Sequence, residues 1–149
     1  MRFLMVSIFY PPFSFGGDAV YLERLCRELT KRGHEVEVVH CADSFRFFGR
    51  PPRGQEDVVQ GVAVHRLESG FGKLAPLLAH QLGRPLLHER ELRRLFRSKP
   101  FDVVHFHNIS LLGPKALELP APGAVKVYTA HEHWLICPLS VLWKFGERP

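Results

Sequence analysis

The sequence has few cysteines and no long apolar run, and these two shortages exclude several classes of protein. Three cysteines occur among 149 residues, widely spaced and without a Cys-x-x-Cys pair. We therefore expect neither a disulfide framework nor a zinc finger, and reduced thiols indicate a cytosolic protein. No stretch reaches the ~20 apolar residues that a membrane-spanning helix needs. The resulting prediction is a cytoplasmic location, with a peripheral position at the inner face of a membrane as a second option.

Two glycine patterns of nucleotide-binding proteins are also missing. The chain contains neither Gly-x-Gly-x-x-Gly nor Gly-x-x-x-x-Gly-Lys-Ser/Thr, which disfavours a dinucleotide site and a P-loop nucleoside triphosphatase. The formal net charge of +5 favours anionic partners such as phosphates or acidic lipids. Nucleic acid is not an expected partner, because the basic residues cluster on one predicted helix without interleaved aromatic residues for base stacking.

The beginning of the chain predicts a strand, a glycine loop and a helix. The unbroken apolar run Phe3–Phe9 is typical of a strand that is covered on both faces. Gly16 and Gly17 follow, and leucines then recur at helical spacing until Gly33, with Asp18 as the predicted helix cap. A helix N-terminus behind a glycine loop can receive an anion, although a glycine pair often marks only a turn.

The rest of the chain alternates between strand and helix patterns. Strands are predicted at 34–41, 62–67, 102–106 and 124–129, and helices at 74–82, 86–98 and 111–119. Residues 42–60 predict a long loop that helps to select a ligand. The fold class is therefore α/β, a Rossmann-like, doubly wound, mainly parallel sheet of about five or more strands with helices on both faces, as a single domain over residues 1–149.

Four histidines are expected at one edge of this sheet. In open parallel sheets the ligand crevice lies beyond the carboxyl ends of the strands, where His105 and His107 follow one strand and His131 and His133 follow another. His131 is predicted to contact ligand, because it directly follows a strand within a polar run. The four could instead hold a metal ion in a metal-dependent hydrolase, or satisfy backbone groups inside the sheet, as His105 could.

Three blocks of sequence together resemble a known family. They are FYPPFSFGGDAVYLERLCRELTKRGHEV (9–36), FDVVHFHN (101–108) and YTAHEHWLICP (128–138). Their order and spacing are similar to those of the N-terminal, acceptor-side domain of the family-four glycosyltransferases of GT-B architecture. The resemblance runs essentially from Met1 to Pro149. It implies one half of a GT-B enzyme, a retaining transferase that moves a sugar from a nucleotide-sugar donor to a sugar, lipid or small-molecule acceptor.

The resemblance also implies roles for individual residues. The nucleotide-sugar is a co-substrate, and neither a cofactor nor a metal ion is implied. Family members commonly have aspartate where this chain has Glu132. By resemblance, the donor phosphate and sugar would be approached by Gly16 and Gly17, the catalytic histidine would be His131, and the acceptor side would be lined by His107, Asn108 and Glu132.

The resemblance further implies that a C-terminal donor-binding domain is absent from residues 1–149. We therefore predict that the chain is inactive without its donor-binding half. The apolar tail from Trp134 to Phe145 is expected to pack on that domain, to pair two copies, or to be buried within this one. The arginines between Arg84 and Lys99 are typical of a solvated helix face, and alternatively of contact with an anionic membrane or a phosphorylated substrate. A stand-alone sugar-binding or phosphate-binding module that acts with a separate catalytic chain is the alternative function.

Overall fold

The computed structural model of the protein describes residues 1–50 and 58–137. These residues form one six-stranded sheet in the order β3-β4-β2-β1-β5-β6, in which every neighbouring pair is parallel except β3 and β4. The strands are β1 (Arg2–Ser7), β2 (Glu35–Cys41), β3 (Val58–Val59), β4 (Val62–Leu67), β5 (Val103–Phe106) and β6 (Val125–Tyr128). The helices are α1 (Gly17–Lys31), α2 (Ala42–Phe45), α3 (Leu74–Leu82), α4 (Leu86–Phe96) and a 3₁₀ helix at Pro114–Glu118.

Strand β1 lies at the centre of the sheet and is covered on both faces. Its successive side chains point to opposite faces. Met5 belongs to an apolar cluster with Leu22 of α1. Leu4 belongs to a second cluster, with Leu92 and Phe96 of α4. Burying each such side chain stabilises the fold by about 1.5–3 kcal/mol. The predicted Rossmann-like α/β fold with helices on both faces is thus confirmed.

Two local predictions near the start of the chain were wrong. Strand β1 ends at Ser7 rather than at Phe9, because the backbone of Ile8 turns to donate a hydrogen bond to the Asn108 carbonyl at 2.8 Å. Helix α1 begins at Gly17, and no side chain caps it. Asp18 therefore lies in the first helical turn and is not its cap. Its Oδ1 accepts from the Ala19 amide at 2.8 Å, and Oδ2 is left for other partners.

The prediction of one long loop over residues 42–60 was only partly right. The segment begins with the short helix α2 and ends in β3, which pairs antiparallel with β4. Residues 51–57 lie outside the described part of the chain. The predicted helix at 111–119 is a shorter 3₁₀ helix. Of the predicted apolar tail, Trp134 packs against the core cluster on the α4 side and Ile136 is exposed, and 139–145 lie outside the described residues.

Helix α3 is held tightly against the loop that follows β5. His80 Nδ1 lies 3.0 Å from the Ser110 carbonyl oxygen, and the Lys115 amide donates to the Gly83 carbonyl at 3.0 Å. Gly113 has a φ of 86°, and a Cβ there would collide with the backbone of Gly83 and Arg84. The α3–α4 turn and this loop are therefore in backbone contact. Within residues 1–50 and 58–137, no helix has both the length and the apolar character to span a membrane.

Candidate functional site

A cavity of about 650 Å³ opens at the edge of the sheet where β1, β5 and β6 end. Parallel strands bring the loops at their carboxyl ends together at this edge, which is why ligand crevices form there. Five of the residues predicted for the site line the cavity, namely Gly16, Gly17, Asn108, His131 and Glu132. The fold thus brings together residues that are more than 110 positions apart in the sequence.

Glycine is suited to positions 16 and 17 for different structural reasons. Gly16 has φ 84° and ψ 179°, a region that residues with a Cβ rarely enter, and a Cβ there would lie 3.2 Å from Asp18 Oδ1. Gly17 is already helical, and a Cβ on it would meet no atom within 4 Å. Backbone geometry therefore requires Gly16. At Gly17 the missing side chain leaves room at the cavity wall, beside the uncapped first turn of α1.

Asp18 and Asn108 join the two sides of the cavity. Asn108 Nδ2 donates to Asp18 Oδ2 at 3.1 Å. Asn108 Oδ1 accepts from the amide and the hydroxyl of Ser110, at 3.1 and 2.8 Å. These bonds fix the Asn108 amide in one orientation, with its oxygen already occupied. Sequence reasoning did not assign Asp18 to the site, although its position just behind the glycine pair was the available signal.

Three histidines from β5 and the loop after β6 stack beside this network. The ring centroids of His105 and His107 are 4.2 Å apart, and those of His107 and His131 are 5.4 Å apart. His107 Nδ1 lies 3.1 Å from His131 Nε2, and His105 Nε2 lies 2.8 Å from Thr129 Oγ1. The alternation of side chains along β5 places His105 and His107 on one face, as predicted.

His107 is neutral and determines the tautomer of His131. Burial, reinforced by the neighbouring histidines, lowers the pKa of His107 to about 3. Its Nε2 is buried without a hydrogen-bond partner among the described residues. An unpaired buried N–H is rarer in proteins than an unpaired acceptor, so the proton of His107 belongs on Nδ1, where it is donated to His131 Nε2. His131, which lines the cavity, then carries its own proton on Nδ1.

His107 lies beneath the cavity and not in its wall. Its side chain is fully buried, behind His131 and against Tyr21, whose ring centroid is 6.1 Å away. It is not among the residues that line the cavity. His107 was predicted to line the acceptor side, but in this structure it does not line the cavity. His107 acts on the cavity only through His131.

Glu132 lies in the cavity wall with a second carboxylate nearby. Burial raises the pKa of Glu132, the negative charge of Asp18 raises it further, and His131 and Asn108 oppose the shift. A carboxyl group with a raised pKa binds a proton more readily than an ordinary glutamate and can then donate a hydrogen bond. The cavity therefore contains a carboxylate near the glycine loop and a more easily protonated carboxyl next to His131.

An aromatic wall closes one side of the cavity. The rings of Phe15 and Phe48 stack with centroids 4.4 Å apart, and Phe9 packs edge-on against Phe48 at 5.4 Å. Phe15 and Phe48 are 55% and 49% exposed, so each offers a free ring surface. Phe48 also lines a neighbouring cavity of about 500 Å³ together with Arg50 and Lys73. Sequence reasoning singled out the 42–60 segment but not Phe15.

A second polar cluster lies between α2 and α4, with Asp43, His88 and Cys41 buried and Ser69 half-buried at its edge. Asp43 Oδ2 accepts hydrogen bonds from the amide and hydroxyl of Ser69 at 2.8 and 2.6 Å, and His88 Nε2 lies 3.4 Å away. Arg46 Nε lies 3.4 Å from the other carboxylate oxygen. Cys41 Sγ is 3.7 Å from His88, and burial raises the pKa of this thiol to about 11. We name Cys41, Asp43, Ser69 and His88 the closed cluster.

The histidines do not assemble a metal site within residues 1–50 and 58–137. In that part of the chain, no group of three or more His, Cys, Asp or Glu side chains is arranged to hold a metal ion. His133 is exposed, and the other three use their contacts on one another and on Thr129. Nothing in this arrangement supports the alternative of a His-rich hydrolase.

Taken together, the fold and the cavity define a Rossmann-like α/β domain with an open cavity at the carboxyl edge of its sheet. Residues 15–149 match the family model described as Glycosyltransferase Family 4. The chain therefore belongs to glycosyltransferase family 4, as its three sequence blocks predicted. Comparison with curated proteins and with solved structures found no match.

Proposed function

We propose that this chain is the acceptor-side domain of a retaining glycosyltransferase that transfers a sugar from a nucleotide-sugar to an acceptor. The observation that carries the proposal is one cavity in a family-four domain, in which Gly16 and Gly17 at the start of α1 face His131. Uncapped amides at a helix N-terminus attract phosphate oxygens, and a neutral imidazole donates to a sugar hydroxyl. In a nucleotide-sugar, the diphosphate needs the first kind of group and the sugar needs the second.

In this proposal His131 is the catalytic residue that contacts the donor sugar. During transfer, the bond between the anomeric carbon and the phosphate oxygen breaks while a bond to the acceptor oxygen forms. The proton of the acceptor hydroxyl passes to the departing nucleoside diphosphate, so atoms and charge balance. Positive charge develops on the sugar, and His131 assists by holding a sugar hydroxyl through Nδ1. Fixed groups of this kind stabilise a transition state because they need no reorganisation.

The acceptor is proposed to lie along the aromatic wall. Phe15 and Phe48 offer ring surface on which a sugar ring or an apolar acceptor chain can pack. Asn108 and Glu132 are the polar groups on that side, and Glu132 is suited to bind an acceptor hydroxyl. His107 takes the role of a positioning residue, because it orients His131 from below.

We further propose that transfer requires a donor-binding domain, on this polypeptide or on a partner chain. The cavity supplies hydrogen-bond donors to the phosphate and the sugar of the nucleotide-sugar from one side only. Transfer needs the acceptor, the leaving phosphate and the stabilising groups to be positioned together. The chain alone is expected to bind nucleotide-sugar weakly and to transfer nothing.

The test is an NMR titration of the chain with uridine diphosphate glucose and with guanosine diphosphate mannose. We expect at least one of them to shift the Gly16 and Gly17 amides and the His131 ring. Gly17→Ala places a methyl group at the cavity wall and should weaken this binding. The matched control is Gly70→Ala, because a Cβ at Gly70 also meets no atom within 4 Å, and Gly70 does not line the cavity.

Two results would count against the proposal. Shifts confined to surfaces away from Gly16, Gly17 and His131 would show that the cavity is not the nucleotide-sugar site. Donor-dependent sugar transfer by the chain without any second protein would overturn the requirement for a donor-binding domain. Binding of the sugar or phosphate alone, with no transfer when a donor-binding domain is supplied, would support the stand-alone binding module instead.

A further inference from the structure

Helix α3 exposes its large apolar side chains, which an ordinary surface helix would bury. Its small residues Ala75 and Ala79 face the core, whereas Leu74, Leu77, Leu78 and Leu82 are 44–59% exposed. At about 100° per residue these four leucines fall within an arc of about 140°, on the side away from the sheet. Surface helices of globular proteins normally bury such a stripe. An exposed one marks an interaction surface.

The surroundings of this leucine stripe are strongly basic. Residues 73–99 contain seven Lys and Arg against two Asp and Glu, which leaves a net charge of +5. That equals the net charge of the whole chain, because the remaining residues carry thirteen charges of each sign. Helix α3 itself contains no acidic residue. Of these basic residues, Lys73 directly precedes α3, and Arg84, Arg90 and Arg93 line one surface cavity with Leu78 of α3, together with the single acidic residue Glu89.

The leucines and the arginines share one surface. Leu78 of α3 and Leu87, Arg90 and Arg93 of α4 line the same surface cavity. Glu89 pairs with Arg93 at 2.8 Å and more loosely with Arg84 at 3.7 Å, whereas Arg90 forms no ion pair with any residue that the structure describes. A neutral apolar partner would leave Arg90 without a counter-charge, and it would leave Arg84 and Arg93 with one Glu89 between them. An anionic surface would satisfy them.

We propose that the leucine stripe of α3, with the basic residues around it, docks on the surface of an anionic lipid bilayer. Apolar side chains enter the boundary between headgroups and acyl chains, while each nearby Lys or Arg gains from the negative surface potential. The charge distribution favours this partner over a second copy of the chain, because two copies would bring the basic surfaces of 73–99 together. The surface differs from the sequence-based expectation, in which the arginines of α4 alone would contact a membrane.

The docking surface begins where the aromatic wall of the site ends. Lys73, directly before α3, lines the same cavity as Phe48, and Phe48 also lines the cavity that contains His131. An acceptor held in the bilayer would therefore enter past Phe48. This last step rests on the proposed function, whereas docking itself does not.

Vesicle co-sedimentation of the full chain tests the proposal without donor, acceptor or a second domain. We expect binding to vesicles that contain phosphatidylglycerol, little binding to pure phosphatidylcholine, and release as salt is raised. Leu77→Ser should weaken binding about tenfold, because it withdraws most of an apolar side chain from the lipid. Val20→Ser on α1 is the matched control, since Val20 and Leu77 are 43% and 44% exposed.

A second pair of variants tests the charge. Arg90→Glu should weaken binding to the phosphatidylglycerol vesicles about tenfold, because it removes one favourable charge and adds an unfavourable one. Arg27→Glu on α1 changes the net charge equally and should have a much smaller effect, since α1 packs on the other face of the sheet. All four positions are exposed, so thermal unfolding is expected to stay close to that of the unaltered chain.

Three outcomes would overturn the proposal. One is equal binding to neutral and anionic vesicles, or to neither. Another is a Leu77→Ser protein that binds as well as Val20→Ser. The third is a dimer of the unaltered chain that Leu77→Ser dissociates, which would assign the stripe to a second copy. Failure of nucleotide-sugar binding would leave the vesicle result unaffected, so the two proposals can fail separately.

Discussion

Two polar clusters lie just beyond strand ends of the same sheet, and they have opposite fates. Around His131, the polar side chains of Asp18, Asn108 and Glu132 line an open cavity. In the closed cluster, Asp43 and His88 are 0% and 3% exposed and direct their polar atoms at other protein groups. Both clusters contain a histidine and an aspartate. Residue type and position at the sheet edge therefore do not separate a binding site from a structural anchor.

The difference arises from what packs on each cluster. Helix α4 and the segment around Ser69 cover Asp43. The Asp43 carboxylate accepts hydrogen bonds from the amide and the hydroxyl of Ser69, and it thereby joins α2 to the loop after β4. At the other cluster, the loops after β1, β5 and β6 stand apart and leave about 650 Å³ between them. The closed cluster should therefore determine stability, and the open cluster ligand chemistry. The four predictions below test that division, from the largest expected effect to the smallest.

The largest effect is expected from Asp43→Ala. The change removes the buried acceptor of two hydrogen bonds, from the amide and the hydroxyl of Ser69, and hydrogen bonds to a charged group contribute about 1.5–3 kcal/mol each. Urea unfolding measures the loss of stability. Asp43→Asn is the control, because it keeps the size and one acceptor and should lose less. A loss below about 1 kcal/mol would remove the closed cluster from its structural role.

The next effect concerns activity, measured with the chain supplied with the donor-binding domain that we propose it requires. His131→Ala should lower the rate of transfer about 100-fold, the effect typical of one lost donor to a transition state. Its stability should change much less than that of Asp43→Ala, because water can replace the ring at the cavity surface. Initial rates at saturating donor measure the first effect and urea unfolding the second. A His131→Ala protein that loses stability and keeps its rate of transfer would contradict the assignment of ligand chemistry to the open cluster and stability to the closed one.

The glycine pair separates backbone requirement from space for ligand. Gly16→Ala should cost about 1–3 kcal/mol, because φ 84° with ψ 179° is strained for any residue with a Cβ. Gly17→Ala should be neutral or slightly stabilising, since it replaces a helical glycine by a better helix former. Thermal unfolding of the two variants side by side measures the difference. Equal stabilities for the two variants would contradict the backbone geometry described for this loop.

At neutral pH the smallest effect is expected from His107, whose contribution becomes visible only as a pH dependence in acid. The pKa of His107 is lowered to about 3 from its ordinary value of 6.5, so only the unfolded chain takes up a proton between these values. The stability contributed by the neutral ring is complete above pH 6.5 and is lost as the pH falls toward 3, with a slope of about 1.4 kcal/mol per pH unit.

His107→Phe keeps the ring in place and removes the titrating group. Its unfolding free energy should therefore fall less steeply with acid than that of the unaltered chain, and urea unfolding at several pH values measures the slope. His40 serves as a parallel case, because burial lowers its pKa to about 3 as well and His40→Phe should remove a similar slope. A His107→Phe protein with the original slope would mean that the pKa of His107 is the same in the folded and the unfolded chain.

The sheet could be predicted from sequence because its strands are short apolar runs, each with an evident end. The runs at β1, β2, β5 and β6 all lie within about two residues of their predicted bounds. Helix α2 was missed, since four residues rich in polar and aromatic side chains carry no helical periodicity and are held by the tertiary contacts of Asp43. A helix or strand can be predicted from local sequence where local residues stabilise it. An element that depends on contacts with residues far along the chain leaves no such local signal.

The candidate site was predicted unevenly for a related reason. Residues at strand ends, such as His131 and Asn108, could be assigned because topology places all carboxyl ends at one edge. The burial of His107 could not, because it depends on how far the His131 loop folds back over β5. The inverted orientation of α3 was also hidden. Its leucines have the spacing of a buried stripe, and only the packed structure shows that the alanines occupy the inner side.

Gly113 gives the molecule a rigid coupling between two of its surfaces. No side chain fits between it and the turn from α3 to α4, and the same loop carries Ser110 and Asn108 toward the cavity. A contact of bare backbone against backbone transmits displacement with almost no slack, unlike layered side chains that can change rotamer. A force that tilts α3 would therefore shift one wall of the cavity with it. In mechanical terms, Gly113 makes α3 a lever whose short arm ends at the wall of the cavity.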